Sequence, residues 1–130
     1  MARYENLPIF RKAMELAVEV ETAVRDFPRY HKYAIGADLR DLARHLYSLI
    51  IRVNSQADKV ASLTELRDKS EEMKAMIVMA KEIKAFKGFK EFERLAISAT
   101  EISRQSEGWL RNQKNSRPES QAPSGARERA

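Results

Sequence analysis

Apolar residues recur three and four positions apart through four long stretches of this chain, and Pro28 and Gly88 punctuate two of the three joins. That spacing lines one side of an α-helix, whereas a half-buried strand alternates every second residue. The first stretch opens after Asn6-Leu7 with Pro8, suited to a first helical turn, and carries Ile9, Ala13, Leu16, Ala17, Val20, Ala23, Val24 and Phe27. Pro28 ends it, because the residue before a proline is pushed out of helical geometry. A second helix is expected from about Tyr33 to Asn54 on Leu39, Leu42, Leu46, Leu49 and Val53. A third starts at the capping-box sequence Ser62 to Glu65 and runs through Leu66, Met73, Ile77 and Ala80, with Gly88 as the turn or C-cap residue. The fourth carries Phe92, Leu95, Ala99, Ile102, Ser106, Trp109 and Leu110, with Trp109 expected as a core anchor. Helices of this length with short connections pack antiparallel with their neighbours, so the expected architecture is an all-α, up-down four-helix bundle. It occupies residues 1–114. Residues 115–130, rich in Ser, Pro, Gly and Arg, bury too little apolar area to offset chain entropy and read as a disordered polar tail.

The same sequence excludes much chemistry. It has no cysteine, hence no disulfide, thiolate nucleophile or Cys-ligated metal, which suits a reducing, cytoplasmic setting. No apolar run nears the ~20 residues of a membrane span, and the N-terminus lacks the apolar core of a signal peptide, so a soluble protein is expected. Phosphate-loop, dinucleotide and His-Glu-x-x-His motifs are absent. A di-iron bundle needs Glu-x-x-His pairs, and neither His31 nor His45 has a glutamate three residues earlier. Asp41 and His45 stand four apart, a spacing that lets a carboxylate orient an imidazole, yet no nucleophile or further ligand accompanies them. The chain reads as a non-enzyme with no metal and no cofactor.

Helix two is apolar over more than one bundle face. At 100° per residue, its apolar residues from Leu39 to Val53, with Tyr47 and Ile51 at the edge, cover about 200°, roughly twice a one-sided stripe. Tyr47 and Ile51 fall in line with Arg40 and Arg44. In the third helix the run Met76 to Ala80 places Val78 and Met79 off the core stripe. Self-association would bury Tyr47, Ile51, Val78 and Met79; the competing reading is that scattered exposed apolar residues need no partner.

Two constellations mix cations with aromatic rings. Lysine and arginine outnumber aspartate and glutamate 24 to 19, a net charge of +5, so a polyanionic partner is compatible without being required. At the first join, Arg29, His31 and Lys32 sit beside Tyr30 and Tyr33 and precede Arg40 and Arg44. At the third, Lys84, Lys87 and Lys90 interleave with Phe86, Phe89 and Phe92. Cations contact phosphates and aromatic faces stack bases, although phenylalanines at a bundle end serve equally as a hydrophobic plug.

The run Phe27-Pro28-Arg29-Tyr30-His31-Lys32-Tyr33-Ala34-Ile35-Gly36, a leucine-rich helix after it, and the late Gly108-Trp109-Leu110 resemble the accessory variability determinant family of diversity-generating retroelements. The resemblance spans about Leu7 to Asn112. In that family the first turn has Phe-Pro, a basic residue with His, an aromatic, a hydroxyl-bearing residue, an apolar residue and Gly, and the last helix ends in Gly-Trp plus an apolar residue. Phe27, Pro28, His31, Lys32, Tyr33, Ile35, Gly36, Gly108 and Trp109 match; Ala34 replaces the hydroxyl-bearing residue, and Asp38 stands where a polar or basic group is frequent. Four-helix-bundle proteins encoded in intervening sequences of large-subunit ribosomal RNA share the Phe-Pro turn but carry an Asn-Ile-Ala-Glu-Gly-like run after helix two, where this chain reads IIRVNSQADK.

The resemblance implies a cyclic homopentamer that binds a reverse transcriptase and its template RNA, and DNA as the cDNA forms. It implies no catalysis by the chain itself. The alternative it leaves is a structural bundle oligomer of the ribosomal intervening-sequence type, without a polymerase partner. In the first case Arg29, His31, Lys32, Arg40, Arg44, Lys84, Lys87 and Lys90 are the expected nucleic-acid contacts, and Gly36 permits a close helix approach.

Overall fold

The computed structural model describes residues 3–116. Among them there is no strand; four long helices do the packing. Helix α1 spans Pro8–Arg25, α2 is a single turn, Arg29–Lys32, α3 spans Ile35–Ser55, α4 Val60–Glu82 and α5 Phe89–Ser116. A 3-10 turn, Tyr4–Asn6, precedes α1. The tail expected from Asn115 lies outside the described residues except for Asn115 and Ser116, which continue α5.

The helices form where the apolar spacing demands. Pro8 occupies the first turn of α1, where its missing N–H costs nothing. Leu16, Val20, Leu39, Leu46, Leu49, Ile50, Leu66, Met73, Ile77, Leu95 and Ile102 are buried in one core. α1 packs against α3 and α5, and α4 against α3 and α5. Buried serines satisfy their hydroxyls locally: Ser70 donates to the Leu66 carbonyl at 2.8 Å and Ser106 to that of Ser103 at 2.9 Å.

Both ends of α4 differ from the sequence expectation. α4 begins at Val60, before the capping box, because Asp58 Oδ1 accepts the Val60 N–H at 3.2 Å. Ser62 is thereby inside the helix, buried and bonded to Gln56, and Glu65 turns to His45 and Arg52 across the helix pair. Lys59 bonds the Val53 carbonyl at 3.0 Å and so caps the end of α3. The turn after α4 is made by Lys84 instead of Gly88: Lys84 has φ 63°, its N–H reaches the Lys81 carbonyl and the Ala85 N–H the Ala80 carbonyl, each at 2.9 Å. That is a Schellman closure with a lysine at the position that favours glycine.

Trp109 is half-buried and is not the enclosed anchor that was expected; it lines a groove of about 370 Å³ with Leu7, Pro8, Ile9, Gln105, Gly108 and Asn112. No helix among the described residues is long and apolar enough to cross a membrane.

Candidate nucleic-acid interface

The join between α1 and α3 is built inside out. Phe27 turns inward and is buried, meeting Phe86 edge-on at a centroid distance of 5.2 Å. Pro28 cannot donate but can accept: its carbonyl takes the N–H groups of His31 and Lys32, both at 2.9 Å, which winds residues 29–32 into the single turn of α2. This turn was absent from the sequence expectation because it has no apolar period of its own. It leaves Tyr30 and Tyr33 with 83% and 73% of their surface exposed, and Tyr30 packs edge-to-face on His31 at 5.3 Å.

Gly36 sets how closely α3 meets α1. A Cβ there would lie 2.7 Å from Val24 Cγ1 and 3.1 Å from the His31 carbonyl oxygen, closer than the ~3.5–4.0 Å of a relaxed carbon contact. Above this contact lies a cleft of about 410 Å³ lined by Glu21, Val24, Arg25, Lys32, Tyr33 and Arg40. Arg25, two residues before Phe27, was not singled out from the sequence. Its place in the last turn of the first helix, just ahead of the Phe-Pro pair, was the available signal.

The eight expected contact residues divide into groups. Arg29, His31 and Lys32 share α2. Arg40 and Arg44 lie on α3 and converge on one carboxylate, Glu21 of α1: Arg40 Nε donates to its two oxygens at 3.0 and 3.1 Å, and Arg44 Nη2 at 3.0 Å. Arg44 is also 3.6 Å from Asp41. The pairs are half-exposed, where such bridges contribute about 0–1 kcal/mol. Each guanidinium keeps N–H groups that Glu21 does not use. Asp41 therefore serves Arg44 and not His45, whose Nε2 faces Glu65 at 3.4 Å. Arg25, Arg29 and Lys32 enter no ion pair among the described residues.

Lys84, Lys87 and Lys90 lie apart from the cleft, around the α4–α5 turn, exposed and also without ion pairs among the described residues. Behind them the aromatic plug is real: Phe86 meets Phe92 at 6.0 Å, Phe92 meets Phe89 at 5.4 Å, and the Lys81 ammonium sits 5.0 Å over the Phe92 ring. The plug joins the Phe27 ring, so both basic regions occupy one end of the fold.

The four apolar residues expected at an interface separate too. Tyr47 is half-buried, edge-on to Phe10 at 6.2 Å, with Tyr4 of the N-terminal turn closing on Phe10 at 5.0 Å. Ile51 packs on the same core. The edge of the apolar arc of α3 is thus partly covered within the chain, Tyr47 by Phe10 of α1 with Tyr4 behind it, which sequence periodicity cannot reveal. Val78 and Met79 remain 48% and 56% exposed; Met79 lines a groove with α3, and Val78 does not.

Elsewhere, α1 and α5 share a hydrogen-bonded carboxylate. Ser98 Oγ donates to Glu19 at 2.8 Å, and burial pushes the Glu19 carboxyl above its ordinary range, only partly opposed by that bond. Among the described residues no group of three or more His, Asp or Glu could hold a metal ion. No family model matches the chain, and no curated protein matches it.

Proposed function

We propose that this chain is a non-catalytic, cytoplasmic accessory protein of a diversity-generating retroelement. In this reading it is an up-down antiparallel bundle that assembles into a cyclic homopentamer and binds a reverse transcriptase with its template RNA and nascent cDNA. The antiparallel order is supported by paired contacts: Glu21 late in α1 meets Arg40 early in α3, while Phe10 early in α1 meets Tyr47 late in α3.

The observation that carries the reading is the α2 turn, where Arg29 and Lys32 enter no ion pair among the described residues, Arg25 joins Lys32 at the cleft, and Tyr30 and Tyr33 are exposed beside them. Cations without partners release counterions when they meet phosphate, and open rings offer stacking that does not depend on base identity. Arg40 and Arg44 contribute less here, because a phosphate must compete with Glu21 for them.

Salt dependence of RNA binding tests this. Each neutralised phosphate contributes a log-log slope of roughly −0.7 for a single strand. Arg29→Gln with Lys32→Gln is expected to flatten the slope by about 1.4, twice that value, whereas Arg40→Gln with Arg44→Gln flattens it by less. If all four substitutions leave affinity and slope unchanged while reverse transcriptase still associates, the chain is a polymerase-binding scaffold and α2 is not a nucleic-acid surface. If neither RNA nor polymerase binds, the structural bundle oligomer is the better reading.

A further inference from the structure

A groove of about 570 Å³ opens between the start of α3 and the end of α4. Its walls are Tyr33, Ile35, Met76 and Met79, and two carboxylates, Asp38 and Glu72, line it as well. Asp38 is exposed and in no ion pair; Glu72 meets only Lys69 of its own helix, at 3.2 Å. Apolar side chains of this size at an open surface lose free energy to water; Ile35 and Met76 are partly buried against the core, while Tyr33 and Met79 stay 73% and 56% exposed among the described residues.

The same chain carries a matching protrusion. Phe89, the first residue of α5, is 64% exposed and flanked by Lys87 and Lys90, both exposed and without carboxylate partners. Its ring leans on Phe92 at 5.4 Å, and Phe92 in turn on Phe86 at 6.0 Å. A knob held in place before contact loses little freedom on docking. One phenyl ring between two ammonium groups complements an apolar slot with two carboxylates. The knob cannot fill its own groove: its ring is tied to the Phe92, Phe86 and Phe27 cluster, while the slot opens between α3 and α4.

We propose that the α3–α4 groove of one copy receives Phe89 of a second copy, with Asp38 and Glu72 facing the second copy's lysines 87 and 90. The contact joins two different surfaces, so it is heterologous and propagates head to tail until a ring closes. It rests on the reading of this chain as self-assembling and supplies the surfaces for it. It also separates the two basic regions: Lys87 and Lys90 serve assembly, and the α2 cations, repeated in each copy, serve RNA.

The test uses the full chain and light scattering at micromolar concentration. Phe89→Ser removes the knob and Met79→Asp spoils the groove; both sites are exposed, and circular dichroism verifies that the helices persist. Each variant is expected to associate at least about thirtyfold more weakly than wild type, the loss typical of truncating an interface anchor, and to run as one 15.0 kDa chain. Mixed in equal amounts, the two retain one intact knob and one intact groove and form a dimer that cannot grow. Reversing Lys87 and Lys90 to glutamate also dissociates the assembly, and adding Asp38→Lys and Glu72→Lys to that chain restores it. A folded variant with wild-type mass overturns the docking proposal and leaves assembly standing. Two monomeric variants that fail to combine overturn the head-to-tail geometry. A monomeric wild type overturns the self-assembly reading itself.

Discussion

Gly36 is where the packing of α3 on α1 can be measured against a single missing methyl. In Gly36→Ala the new Cβ stands 2.7 Å from Val24 Cγ1, short of a relaxed contact by about 1 Å. Two responses are open. Val24 can leave its rotamer, which for a β-branched residue in a helix costs about 0.5–1.5 kcal/mol, or α3 can lift away and loosen the core around Phe27. Neither relieves the 3.1 Å approach to the His31 carbonyl, which is backbone. Overpacking of this kind costs about 1–3 kcal/mol, against a gain of up to ~1 kcal/mol for replacing glycine by alanine in a helix. The expected net loss is about 1–2 kcal/mol.

Val24→Ala isolates the cause, because it removes the methyl that collides. Alone it should cost about 1–3 kcal/mol, since Val24 is buried. Combined with Gly36→Ala, the loss should fall short of the sum by about 1 kcal/mol, a coupling of the size seen for residues in contact. Urea unfolding of the full chain at one fixed protein concentration measures all four corners of the cycle. A Gly36→Ala variant as stable as wild type, or a cycle additive within about 0.3 kcal/mol, would refute the argument that this glycine exists for close approach.

Two further outcomes follow from other positions. Lys84→Gly should raise stability by about 0.5–1 kcal/mol, because a left-handed residue with a Cβ costs ~1–2 kcal/mol and glycine returns part of that as chain entropy; thermal unfolding should shift upward by about 2–5 °C. For Glu19 the folded-state carboxyl is held above its ordinary 4.5 by burial, so its ionised form weakens the fold above that range and the penalty disappears as it protonates. Glu19→Gln, which keeps an acceptor for Ser98, should therefore raise the melting temperature at pH 7, and the difference from wild type should vanish as pH falls below 4.5.

The helices were legible because burial imposes the same spacing that a reader counts: Leu39, Leu46 and Val53 lie in the core as their period requires. Their ends were less so. Ser62 to Glu65 has capping-box spacing, but Asp58 reaches the chain first, and a local motif carries no information about a competitor four residues upstream. Gly88 suggested the turn after α4, whereas the chain closes on Lys84 and pays strain there. The largest gap concerned contacts between distant segments. Glu21 is 19 residues from Arg40 and 23 from Arg44, so their pairing depends on how α1 and α3 are rotated against each other. The partial cover of Tyr47 was similarly hidden, because Phe10, which meets its ring, lies on another helix.

Net charge alone would not select any one face of this protein, since +5 spread over a bundle gives a weak field; its pairing pattern does. Along the helix waists, Lys12, Lys69, Lys74 and Arg104 each meet a glutamate three residues away, and Arg52 meets Glu65 across helices. Those cations are compensated at short range. Among the described residues the cations without an ion pair gather toward the ends: Arg11, Lys59, Arg111 and Lys114 at one, with Lys59 held by the α3 carbonyls, and Arg25, Arg29, Lys32, Lys84, Lys87, Lys90 and Arg94 at the other. Cations alone attract any polyanion. Only the second end adds open aromatic faces, Tyr30, Tyr33 and Phe89: Tyr30 stands among the α2 cations, Tyr33 lies between the cleft and the α3–α4 groove, and Phe89 flanks the turn lysines. An aromatic ring with a hydroxyl tolerates a wet, phosphate-lined surface, whereas a bare phenyl ring gains most by leaving water. The side chains thus support the proposed division of the two basic regions of one end between different partners, a nucleic acid at α2 and another copy of the chain at Phe89.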